Sequence, residues 1–201
     1  MNRPMAESTK RTRLSPEARS NQILDVAKQA IANNGLQAFS LKKLVADAGI
    51  SEPLLFHYFS SRIDLLQQLL IREYENYLDS IRSSLNNAKT LEGVCKVFVA
   101  RNYDHIDEDW VMDILLEDPE VAPAVENQRA EHHKQRRKLL INVVAKDINV
   151  DRKKAAMLVR MASAASMAAA KYAHENKVPR ERAIQIVMDF IDQGFKSQTG
   201  K

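Results

Sequence analysis

The chain has 201 residues, enough to bury a sizeable core in one large or two small domains. A formal net charge of +4 and a pI near 9.1 permit a polyanionic partner without requiring one. The single cysteine, Cys95, excludes an internal disulfide framework and any cysteine-rich zinc site, and only 5 glycines and 6 prolines punctuate a sequence rich in helix-forming residues.

No alternating apolar and polar run is long enough to ask for a strand, so the expected fold class is all-α. The start of the chain is polar and has no apolar segment of the kind a secretory signal needs. Residues 1–14, with Lys10, Arg11 and Arg13 close together, are expected to form a flexible basic arm. Such an arm either reaches phosphates and a minor groove or is a solvated tail. Ser15-Pro16-Glu17-Ala18 opens a first helix, with Ser15 as cap and proline at the first helical position. Ile23, Ala27, Ala30 and Ile31 form its inner stripe, Asn34-Gly35 end it, and Phe39 is placed to close the small core that follows.

Ser40 caps a second helix whose apolar residues Leu41, Leu44, Val45 and Ala48 share one face. Gly49 can take the left-handed conformation that closes a helix, and Ser51 caps a third, Glu52 to Phe59. Leu55 and Phe59, four apart, point to the core, leaving Glu52, Pro53, Leu54, Phe56, His57 and Tyr58 spread over the other faces. This is a helix-turn-helix.

The string GISEPLLFHYFSSRIDLL, preceded by ILDVAKQAIANNG and SLKKLVADA, resembles the DNA-binding domain of the tetracycline-repressor (TetR) family of bacterial transcription regulators. The resemblance covers about the first third of the chain. It implies that Glu52, Pro53, Leu54, Phe56, His57, Tyr58 and Arg62 meet DNA. The expected DNA-binding set also takes in Ser51, the cap of that helix, and Lys42, which with Lys43 opposes the dipole of its own helix, so that a phosphate partner would explain at least one of the two. Glu52, Pro53 and Leu54 would face bases, while Phe56, His57, Tyr58 and Arg62 would lie along the backbone. Pro53 and Leu54 can pack on thymine methyl groups; Glu52 can accept from a cytosine amino group or serve only as a favourable charge at a helix N-terminus. The family usually has Tyr where Phe56 stands and Lys where Arg62 stands; Arg keeps a phosphate donor, whereas Phe56 has no hydroxyl.

Leu66, Leu70, Tyr74, Tyr77, Ile81 and Leu85 recur every three or four residues and predict a long helix opened by Ser60-Ser61, which leaves the first domain and enters the second. Further helices are expected over Leu91–His105, Asp109–Glu117 and about Val121 to Lys146, with breaks near Asp107 and at Asp118-Pro119. The expected domains are therefore the arm over 1–14, a three-helix helix-turn-helix domain over 15–62, and a helical effector-binding and dimerisation domain over 63–201, with about nine helices in all. The resemblance implies a small-molecule effector in the second domain, and Tyr74, Tyr77, Phe98, Tyr103, Trp110, Met112 and Leu116 are the residues expected nearest it. Helical spacing supplies such residues to any bundle core. The acidic set Glu108, Asp109, Asp113, Glu117, Asp118 and Glu120 can select a cationic effector or form a wet face. The run His132-His133, with Lys134, Arg136, Arg137 and Lys138, can suggest metal or phosphate binding. Adjacent histidines point about 100° apart and do not make a two-ligand face, which argues against a metal, and the basic run is read as the wet side of a long helix.

Asp151 caps a helix to about Glu175, and Pro179 or its neighbour opens a last one to about Phe195. Both are apolar nearly all round, which asks for cover on two sides, and the resemblance implies that 151–175 and 179–195 pair with the same helices of a second copy. The longest apolar run, Met161 to Ala170, is too short to span a bilayer, so the default expectation is a cytoplasmic protein with no membrane association. No nucleophile elbow, Gly-rich phosphate loop or histidine ligand spacing is present, so no catalytic residue, metal or cofactor is expected. The function so implied is a dimeric transcription regulator, usually a repressor, that binds a palindromic double-stranded operator and is released by an unknown effector. An effector-free DNA-binding protein and a helical ligand carrier are the alternatives.

Overall fold

A computed structural model describes residues 14–108 and 110–199, apart from the side chains of 105–108 and 110. Arm residues 1–13 and the side chain of Trp110 therefore lie outside the described residues. The described residues form nine α-helices and a short 3-10 turn, with no strand among them.

The chain divides into two compact units, with the boundary between Leu65 and Leu66. The first holds α1 (Pro16–Asn34), α2 (Leu41–Ala48) and α3 (Glu52–Tyr58). Each begins where a serine hydroxyl accepts an otherwise unpaired amide: Ser15 from Ala18, Ser40 from Lys43 and Ser51 from Leu54. α2 ends at Gly49, whose φ of +62° is the left-handed conformation expected of it, and the following amide, on Ile50, donates to the Val45 carbonyl. Ile23, Leu24, Ala27, Ile31, Phe39, Leu44, Ala48, Leu55 and Phe59 are buried. At about 1.5–3 kcal/mol for each large apolar side chain, this burial outweighs anything the caps contribute.

α4 (Arg62–Asn87) starts in the first unit and continues into the second. Its opening turn is closed reciprocally, since Ser61 Oγ accepts from the Asp64 amide while Asp64 accepts from the amide and hydroxyl of Ser60. The second unit continues with α5 (Leu91–Glu108), α6 (Trp110–Glu117), α7 (Glu126–Asp147), α8 (Arg152–Glu175) and α9 (Arg180–Lys196). The helix expected from Val121 is divided: Ala122–Val125 is a 3-10 turn, and α7 begins only at Glu126. Pro123 accounts for this, because it has no amide to donate into a continuous α-helix and suits only a first turn.

α8 packs against α5, α7 and α9, and α9 also against α5, around a core containing Phe98, Val99, Leu140, Val144, Val159, Ile184, Val187 and Ile191. The turn between α8 and α9 is fastened to α5. Tyr103 donates its hydroxyl to the Val178 carbonyl at 2.9 Å, and Arg180 makes a two-pronged pair with Asp104 at 2.5 and 2.7 Å. No described helix is long and apolar enough to cross a membrane.

Candidate functional site

In the first unit, Leu55 and Phe59 anchor α3 from beneath, being 0% and 1% exposed. Glu52, Pro53, Phe56 and His57 are exposed, and Leu54 and Tyr58 are half-buried. The burial pattern thus gives α3 one core face and leaves the expected contact residues on the others. Phe56 is 45% exposed, a large aromatic surface on a short helix. His57 and Tyr58 meet edge to face, with ring centroids 5.2 Å apart.

Lys42 and Lys43 are exposed in the first turn of α2, where their charge opposes the helix dipole, and neither has a carboxylate partner among the described residues. Arg62 is placed differently from a free surface cation. Its guanidinium donates to the Leu36 carbonyl at 3.2 Å and lies 5.8 Å from the centre of the Phe39 ring, bracing the connection between α1 and α2. A guanidinium has five N–H groups, so further donors remain for a phosphate.

The second unit contains a groove of about 780 Å³ between α4 and α7, to which α5 contributes Phe98. Leu78, Ile81, Leu85, Phe98 and Leu139 supply its apolar surface; Arg82, His132 and Arg136 are among its polar groups. Beside it Tyr74 and Tyr77 stack at 5.7 Å, and His132 meets Tyr77 edge to face at 5.8 Å. Tyr74 Oη lies 3.4 Å from His132 Nδ1, and Arg101 sits 4.7 Å above the Tyr77 ring. Burial, then the charges of Arg136, His133 and Arg82, push the His132 pKa down to about 4, so the ring is neutral at pH 7. Burial, then Tyr77, pushes the Tyr74 hydroxyl up, which keeps it a donor.

Of the expected effector residues, Phe98 lines this groove, and Tyr74 and Tyr77 contact its His132. Tyr103 is used instead at the α8–α9 turn, while Met112 is buried and Leu116 half-buried on α6; none of the three lines the groove. The basic run of α7 needs correction as a uniformly wet face. Lys134, Arg137 and Lys138 are exposed, but His132 and Arg136 are half-buried and line the groove. The missed signal was spacing: 132, 136, 140 and 144 follow one another at four-residue steps, and Leu140 and Val144 are core. Cys95 is buried, and burial raises its thiol to about 11, so it is held as a thiol.

A third surface is apolar and uncovered in the single chain. Met157, Met161, Ala164, Ala168 and Tyr172 run down the outer side of α8, and Ile186 and Phe190 lie on the outer side of α9. Met157, Tyr172 and Phe190 are 62%, 63% and 65% exposed. The opposite sides of the same helices bury Leu158, Val159, Ala170, Val187 and Ile191, which is the two-sided character expected from the sequence.

Residues 23–69 match the family of bacterial regulatory proteins designated tetR. Over 107 residues the chain is 26% identical to the HTH-type transcriptional activator FasR of Mycolicibacterium smegmatis, covering 53% of this chain and 49% of that protein. It is 28% identical over 115 residues to the HTH-type transcriptional repressor KstR2 of Rhodococcus jostii, covering 55% and 54%. The chain spans about half the length of the curated relatives it matches. A crystal structure of a TetR-like transcriptional regulator from Rhodococcus sp. RHA1 aligns with a TM-score of 0.60 and 18% identity over 92% of this chain and all of that one, a likeness of fold.

Proposed function

Since residues 23–69 belong to the tetR family of bacterial regulatory proteins, we propose that the chain is a homodimeric, effector-responsive transcription regulator that reads a palindromic operator with α3. The observation that carries this reading is the division of α3: Leu55 and Phe59 are fixed in the core while Glu52, Pro53, Leu54, Phe56, His57 and Tyr58 are left at the surface of a matched helix-turn-helix. In this reading Pro53 and Leu54 choose bases through thymine methyl groups, and Lys42, Ser51, His57, Tyr58 and Arg62 serve phosphates. Phe56, without a hydroxyl, contributes apolar contact.

The exposed faces of α8 and α9 are the homodimer surface, burying the Met157 to Tyr172 stripe and Phe190 about a two-fold axis. Two α3 helices then enter successive major grooves about 34–36 Å apart. An effector in the α4–α7 groove favours dimers whose helices no longer match that spacing. The named relatives include an activator and a repressor, and release from an operator is compatible with either outcome for transcription.

The test is selection of random duplexes by the full chain at moderate salt, followed by sequencing of what is retained. An enriched inverted repeat is expected. Retention of single half-sites, or of duplex without any motif, contradicts a symmetric reader and favours a non-specific binder.

A further inference from the structure

We infer that the groove between α4 and α7 takes an amphipathic organic anion, an apolar body with one carboxylate or phosphate head, and that Arg136 is the partner of that head. This rests on the effector-responsive reading and adds the chemistry of the effector to it. The volume of about 780 Å³ falls within the range of small-molecule sites. Leu78, Ile81, Leu85, Phe98 and Leu139 offer an apolar body a continuous set of contacts.

Charge decides the head. Arg82 pairs with Asp79 at 2.9 Å, and Lys134 faces Glu131 at 3.6 Å, so the two aspartate and glutamate carboxylates nearest these cations are already compensated. Glu75, the remaining acid of the groove, is exposed to solvent, which screens it. Arg136 is half-buried, lies with its guanidinium carbon 5.6 Å from the centre of the Phe98 ring, and has no carboxylate partner among the described residues. Stacking on an aromatic face holds a guanidinium while leaving its N–H edge available to two oxygens of one anion. The surrounding groups sense the same sign. Besides burial, the largest cause in both cases, Arg136, His133 and Arg82 depress His132, and Arg129 and Arg136 act to lower Tyr74. The acidic residues Asp113, Glu117, Asp118 and Glu120, which in sequence suggested a cationic effector, do not line the groove, and Asp118 instead accepts from the amides of Glu120 and Val121.

Calorimetric titration of the full chain tests this with four ten-carbon probes held below their micellar concentrations: decanoate, decyl phosphate, decanol and decyltrimethylammonium. At least one of the two anions should bind about tenfold or more tighter than decanol, a difference within the range of one charged hydrogen-bonded contact, and the ammonium should bind weakest. Which anion is preferred distinguishes a carboxylate from a phosphate source. Arg136→Gln should bring the anions level with decanol, while Arg136→Lys, which keeps the charge but not the fork, should keep part of the preference. The head-group comparison on the unmodified chain stands even if one variant folds poorly. No measurable binding of either anion, equal binding of decanol or the ammonium, or a preference that survives Arg136→Gln overturns the inference. Repeating the titrations on the operator complex separates the two readings. An anion that binds through Arg136 without releasing DNA defeats the effector-responsive reading alone, whereas release by a neutral or cationic amphiphile with no anion preference defeats the inference alone.

Discussion

Arg62 serves the fold before it serves a ligand, because its guanidinium already holds the Leu36 carbonyl and the face of Phe39. Arg62→Ala should therefore lower the stability of the first unit by roughly 1 kcal/mol and also weaken binding to every duplex, operator and random alike. Leu54→Ala, on a half-buried position with no polar group, should leave random-duplex binding nearly unchanged and alter the selected motif. Thermal melts alongside filter-binding curves separate these effects; equal losses on both kinds of DNA for both variants would overturn the division of roles. His132 makes a second prediction at this scale. Its folded pKa of about 4 lies below the ordinary value of 6.5, so the unfolded chain binds the extra proton first as the pH falls. The resulting penalty is absent above pH 6.5 and grows down to about pH 4, reaching roughly 1–2 kcal/mol once solvent around the half-buried ring is allowed for. Urea unfolding at pH 7 and pH 4.5 should show a smaller acid loss for His132→Gln than for the unmodified chain.

Among the elements, the caps are the parts whose contribution can be isolated. Ser40→Ala removes the acceptor of the Lys43 amide and should cost about 1 kcal/mol, read as a lower denaturation midpoint of the first unit with an unchanged slope. The same chemistry explains what was legible in sequence. Ser15, Ser40, Ser51 and Asp151 each mark a helix start because a short polar side chain satisfies an amide there, and Gly49 marks an end because its backbone adopts a positive φ. These are local effects, and local pattern reports them. The start of α7 was less legible, since the apolar run from Val121 continues across Pro123 while the backbone does not. The site divided in the same way. Leu55 and Phe59 reveal which side of α3 is free, because a four-residue step defines a face on a short helix. The groove depends on α4, α5 and α7 meeting across a large sequence separation, so the basic residues around Arg136 carried the local signature of a solvated surface.

For the whole molecule, the proposed homodimer rests on the outer faces of α8 and α9. Phe190→Asp, placing a carboxylate on a position 65% exposed in the single chain, should leave the fold intact and weaken self-association by about thirtyfold or more, the equivalent of about 2 kcal/mol or above expected at an interface hot spot. Light scattering over a dilution series measures this, and a Phe190→Asp protein with unchanged mass at every concentration would remove that face from the interface. The fastening of the α8–α9 turn has a kinetic consequence. With Tyr103 and the Arg180–Asp104 pair holding that turn to α5, both helices that present the apolar face are set in register within one chain. A second copy therefore meets a prepared surface rather than one that must be ordered on arrival. Encounter should be limited by orientation and not by folding, and substitutions on the face should be felt chiefly in how long the pair stays together.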